Sequence, residues 1–162
     1  MKLKSIHILV AFVLLFSCDT KQEIDKEKPV IRNDFAEAFP LNCDTLYFGE
    51  SFLLTVQFTD NVELGSYSID IHNNFDHHSH STEVTACDMD EKKDAVNPFV
   101  FIDEFDIPEG LSFYQTALSI SIPTGNSEGD YDEGDYHFFI SLTDKGGWSA
   151  QMGLSVKILR RG

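Results

Sequence analysis

"EGDYHFFISLTDKGG" (Glu133–Gly147) decides how this chain folds. Tyr136, Phe138, Ile140 and Leu142 alternate with His137, Phe139, Ser141 and Thr143. That period of two turns one set toward a core and the other away from it. Gly134-Asp135 ahead of the run and Asp144-Lys145-Gly146-Gly147 behind it are turn formers, so a strand over Gly134–Asp144 is bounded at both ends. A turn residue, one further residue and then a tyrosine opening an alternating strand is also the pattern of a tyrosine corner, in which a phenol hydroxyl ties back to upstream backbone.

The same period recurs on either side. Ser51–Asp60 places Phe52, Leu54, Val56 and Phe58 on one face, and Leu64–His72 places Tyr67, Ile69 and Ile71 on one face. Further strands are expected within 28–35, 82–88, 97–107, 112–122 and 149–159. Between them lie turn clusters: Asp60-Asn61, Pro108-Glu109-Gly110 and the run 123–135. No stretch sustains a helical period, and fourteen Phe against one Trp suits strands. The expected fold is all-β, an immunoglobulin-like or cadherin-like β-sandwich of seven to eight antiparallel strands. "TDKGGWSA" resembles the D-x-x-G-N turn of bacterial Ig-like and cadherin-like modules, with Gly147 where Asn usually stands. No Cys…Trp…Cys spacing marks an antibody-type domain, and no internal repeat is visible.

The first segment reads differently. Lys2 and Lys4, an apolar run from Ile6 to Phe16 and the ending "LLFSC" make 1–17 a signal peptide. The ending resembles a bacterial lipobox, in which Cys18 becomes the lipid-modified first residue; an ordinary secretory signal abutting a Cys is the alternative. Residues 18–28 are polar and of mixed charge and read as a tether, and 29–162 as the sandwich domain. Location in the bacterial cell envelope follows, lipid-anchored at the outer membrane. Losing Lys2 and Lys4 lowers the formal charge of −15 by two. So acidic a surface excludes nucleic acid as a partner and docking on anionic lipid through a basic patch. Outside the cytoplasm, Cys43 and Cys87 read first as a disulfide, with Cys87 as a soft metal ligand the competing reading.

The stretch "HNNFDHHSHSTE" (His72–Glu83) carries four of the six histidines. If 64–72 and 134–144 are antiparallel neighbours, His72 and His137 leave the same sheet face with Cβ atoms about 4.5–5.5 Å apart. His72, His77, His78, His80 and His137 would then converge at the end of the sandwich away from the membrane. Imidazole is the commonest ligand for Zn and Cu, and Asp76 or Glu83 would serve as a further ligand or orient a ring. His72, His78, His80 and His137 would make a tetrahedral site. A solvated polar loop and a pH-sensitive patch are the competing readings.

Asp130, Asp132 and Asp135 in the acidic turn are a secondary calcium candidate, against a solvated turn. Asp60, Asn61 and Asp144, at the opposite end, resemble calcium ligands between cadherin-like repeats; with no adjacent repeat visible they read as caps on turns. No nucleophile elbow, H-E-x-x-H or phosphate loop is present, so a non-enzymatic binding module is expected. A metal-dependent hydrolase would need an open coordination position and a base that the sequence does not identify. An envelope protein or a glycan, bound through the sheet face or loops, is the alternative ligand.

Cys18, Lys28-Pro29-Val30-Ile31 and the segment His72 to His80 together resemble an uncharacterised family of Bacteroidota-type lipoproteins, a domain of unknown function with a single Ig-like domain. The resemblance implies location and fold, and no settled activity.

Overall fold

The computed structural model describes residues 25–78 and 87–162. These form twelve strands: β1 (Val30–Arg32), β2 (Thr45–Tyr47), β3 (Glu50–Leu54), β4 (Gln57–Thr59), β5 (Leu64–Asn73), β6 (Phe101–Asp106), β7 (Phe113–Gln115), β8 (Leu118–Ile122), β9 (Gly125–Asn126), β10 (Gly129–Asp130), β11 (Gly134–Asp144) and β12 (Ser149–Leu159). One layer is a five-stranded sheet in the order β2-β12-β11-β5-β6. The facing layer consists of β1-β4-β7 and β3-β8. Phe52 of β3 meets Phe138 of β11 at 6.0 Å, and Phe58 of β4 meets Tyr67 of β5 at 5.1 Å, so the two layers share one apolar core. The fold is an all-β sandwich.

The central strands follow their period. Tyr136, Phe138, Ile140 and Leu142 are buried on the inner face of β11, opposite the buried Asn73-side residues Ile71, Ile69 and Tyr67 of β5. Tyr136 is a tyrosine corner: its hydroxyl donates to the Asp132 carbonyl at 2.6 Å and accepts from Phe99 N–H at 3.2 Å. Burial pushes its phenol well above the ordinary tyrosine range. Tyr67, buried against Phe58 and Phe105, is pushed up to about 12, again by burial first and the neighbouring Tyr114 second.

The facing layer departs from expectation in one respect. Ser51–Asp60 is not one strand but two, β3 and β4, and 112–122 divides likewise into β7 and β8. The Thr116 hydroxyl sits in the break: it donates to the Leu54 carbonyl at 2.8 Å and accepts from Val56 N–H at 2.9 Å. Thr55 meanwhile pairs both its backbone groups with Phe39. A side chain that satisfies two ladder groups lets the layer bend without leaving buried backbone unpaired. The three-residue β2, parallel to β12, was also not expected from sequence, and of the strand expected at 82–88, residues 82–86 lie outside the described residues while Cys87 and Asp88 are not in a strand.

Turns close the end of the sandwich where residue 25 lies. Asp60 Oδ2 accepts from Val62 and Glu63 N–H at 2.7 and 2.8 Å, and Asp144 Oδ1 accepts from Trp148 N–H at 2.8 Å. Both are turn caps, as read from sequence. At the bulge beside them a Cβ on Gly65 would come within 2.8 Å of the Thr143 carbonyl oxygen. Gly65→Ala must therefore push the β5–β11 pairing apart, and a loss of about 1–3 kcal/mol is expected in urea unfolding. A neutral result would mean that the bulge yields freely.

Candidate functional site

The histidines are placed by three elements. β11 and β5 pair in the register His137↔His72, so both rings leave the outer face of the five-stranded sheet. After β5 the chain turns sharply. Phe75 enters the core edge-on to Tyr136 at 5.4 Å, with Lys93 Nζ over its ring at 4.4 Å. His77 takes the left-handed position of this turn, at φ 58°, with its N–H donating to the Asn74 carbonyl at 3.1 Å. The turn sends the chain back over the sheet, and His78 lands above His72 and His137. Ring centroids lie 5.7 Å apart for His72–His78, 5.4 Å for His72–His137 and 4.8 Å for His78–His137. Phe139 closes one side, stacked on His72 at 5.8 Å and tilted against His137 at 5.6 Å.

Each of the three rings has one nitrogen held as a donor. His72 Nδ1 donates to Asp70 Oδ1 at 2.8 Å, and His78 Nδ1 donates to Asp76 Oδ1 at 2.5 Å. His137 Nε2 donates to the His78 carbonyl at 3.1 Å. In the neutral rings the lone pair then sits on Nε2 of His72 and His78 and on Nδ1 of His137. Hydrogen bonding to the His78 ring holds the Asp76 carboxyl below the usual carboxylate range. His137 is fully buried although it points outward from the sheet. Residues 87–93 are tied down nearby. Cys87 is bonded to Cys43, with Cα atoms 5.4 Å apart, and lies against Ser155, the residue paired with His137 across β11–β12. Asp90 N–H then donates to Asp135 Oδ2 at 2.8 Å, and Lys93 N–H to the Phe75 carbonyl at 3.1 Å. The disulfide removes Cys87 from the candidate metal ligands.

His72, His78 and His137 therefore come together, with Asp76 in the role of orienter. His77 makes no ring contact with them among the described residues. His80 and Glu83, like Cys18, lie outside the described residues. Shared coordination would draw on Nε2 of His72 and His78 and on Nδ1 of His137. Asp130, Asp132 and Asp135 do not gather. Asp130 faces Arg160 at 3.8 Å, Asp132 Oδ2 caps Val96 and Asn97 N–H at 2.7 Å each, and Asp135 serves Asp90 and Lys157. Among the described residues, the set whose ligand oxygens do lie within 4.8 Å of one another is Asp25, Asp60 and Asp144, at the other end of the sandwich. Asp25 carried no sequence signal, because it sits in a polar stretch without period.

No curated protein and no solved structure matches the chain. A family model does match, over residues 16–159: a domain of unknown function, DUF4625. With nearly its whole length covered by that model, the chain belongs to the DUF4625 family.

Proposed function

We propose that the chain is a non-enzymatic binding module of the bacterial envelope, anchored by lipid on Cys18 at the outer membrane, that coordinates Zn2+ or Cu2+ through His72, His78 and His137. His80 and Glu83, a few residues further along the sequence, would complete the site. The observation that carries this reading is the pairing of ring nitrogens. A histidine that ligates a metal nearly always donates its other N–H to a carboxylate or a backbone carbonyl, which fixes the tautomer and the ring's orientation. His72, His78 and His137 all do so, to Asp70, Asp76 and the His78 carbonyl. A solvated loop has no need of three such partners.

Calorimetric titration of the purified chain with Zn2+ and Cu2+ tests it. Sub-micromolar binding is expected, weakened in His78→Ala and in His72→Ala by more than the about 10- to 100-fold that loss of a ligand's hydrogen-bond partner alone costs. Absence of such binding in the parent chain sinks the proposal, and unchanged affinity in both variants moves the site elsewhere. A second reading, a module that binds glycan or protein, is favoured by β6. This strand ends the five-stranded sheet, and its Ile102 is 70% exposed. Ligand capture that persists in chelator would support that reading over the first.

A further inference from the structure

We infer that Asp25, Asp60 and Asp144 form a Ca2+ site that clamps the tether to the base of the sandwich. Three separate stretches supply the ligands: the segment ahead of β1, the β4–β5 turn and the end of β11. A carboxylate oxygen from each lies within 4.8 Å of those from the other two. Ca2+–oxygen distances are about 2.3–2.6 Å, so an ion between oxygens on opposite sides spans about that separation.

A group of acidic residues alone would be an ordinary feature of so acidic a chain. Here the buried atoms decide otherwise. Asp144 is only 4% exposed, yet its Oδ2 meets no hydrogen-bond donor among the described residues. Asp25 Oδ2 and Asp60 Oδ1 are buried in the same condition. The other oxygen of each carboxylate is occupied: Asp60 Oδ2 and Asp144 Oδ1 cap their turns, and Asp25 Oδ1 accepts from Glu27 N–H and Asn61 Nδ2, both at 3.1 Å. The caps thus fix the three side chains, each with its second oxygen buried and without a donor among the described residues. Gly146 closes the site from the side, since a Cβ there would lie 3.2 Å from both Asp25 Oδ2 and Asp144 Oδ1. No Lys or Arg among the described residues pairs with any of the three. Like charges desolvated together without a counter-ion are costly, and a cation removes that cost.

The chemistry selects the ion. All three ligands are hard oxygens, which suit Ca2+ and not a metal that prefers nitrogen or sulfur. Mg2+ sites use one or two carboxylates and keep most of their water, whereas three carboxylates suit Ca2+. Trp148 completes the clamp by donating from its indole Nε1 to the Asp25 carbonyl at 3.1 Å. Ion binding would thereby hold the chain at Asp25 against the base of the sandwich. The histidine site, on the other end, is independent of it.

Trp148 is the only tryptophan in the chain, so it reports on this site. Excited indole transfers energy to Tb3+ held nearby. Tb3+ added to the purified chain should give sensitised luminescence that Ca2+ displaces, and Ca2+ alone should raise Tm. Asp25→Asn and Asp144→Asn should each weaken Ca2+ binding about 10- to 100-fold, because affinity follows ligand charge. Asp25 precedes the sandwich, so its variant keeps the fold even if Asp144→Asn does not. His72→Ala/His78→Ala should leave the Ca2+ response unchanged. Luminescence that Ca2+ does not displace, or parental Ca2+ affinity in Asp25→Asn, overturns the proposal.

Discussion

Tyr136→Ala should lower the unfolding free energy by about 3–5 kcal/mol, the cost of removing a large buried ring. Tyr136→Phe should account for about 1–3 kcal/mol of that, the cost of leaving buried backbone groups without partners. The ring is fully buried, and its hydroxyl serves the Asp132 carbonyl and the Phe99 N–H at once. Neither group has an obvious substitute, because both lie in connections and not in a sheet ladder. Guanidinium unfolding of the two variants separates ring from hydroxyl, and parental stability in Tyr136→Phe would show that the corner contributes no net energy. There is a functional consequence as well. Phe75 packs edge-on to Tyr136 and fixes the turn that carries His78 over the sheet. Tyr136→Ala should therefore weaken metal binding at the histidines without touching a ligand, whereas Tyr136→Phe, which keeps the ring, should not.

The central strands were legible because their chemistry is local. Alternation over 64–72 and 134–144 needs no knowledge of neighbours, and once the two are taken as antiparallel the pairing of His72 with His137 follows. What was not legible depends on contacts distant in sequence. The break between β3 and β4 is made by Thr116, sixty residues on from Val56. Three residues of β2 are too few to display any period. His72 and His137 leave the same sheet face as expected, and His78 comes over them from the turn after β5. The full burial of His137 there was not expected. Nothing local marks an outward position for burial; the rings of His72, His78 and Phe139, from a neighbouring strand, the following turn and the same strand, pack against it. Asp60 and Asp144 were readable as caps, and a cap and a ligand are indistinguishable in sequence, since one oxygen can do each. Only the third carboxylate, from Asp25, makes the difference.

Replacing both half-cystines, as Cys43→Ala/Cys87→Ala, should cost about 4 kcal/mol, the chain-entropy value for the 44-residue separation they close. The double variant is the proper comparison, because a single one leaves a thiol able to bind the titrated metal. Reductant added to the parent chain should reproduce most of the loss in urea unfolding, and a change below about 1 kcal/mol would mean that the unfolded chain gains little freedom. The bond matters to function for a further reason. It fixes Cys87 against Ser155, across the β11–β12 ladder from His137, and so anchors the downstream end of the histidine segment. The upstream end is anchored independently, by Phe75 in the core. A segment held at both ends loses little entropy when it closes on an ion; one held at a single end must be ordered by the ion itself. Metal affinity in the double variant should consequently fall about tenfold or more, under conditions where the domain remains folded. Parental affinity there would assign the positioning of His78 to the Phe75 turn alone.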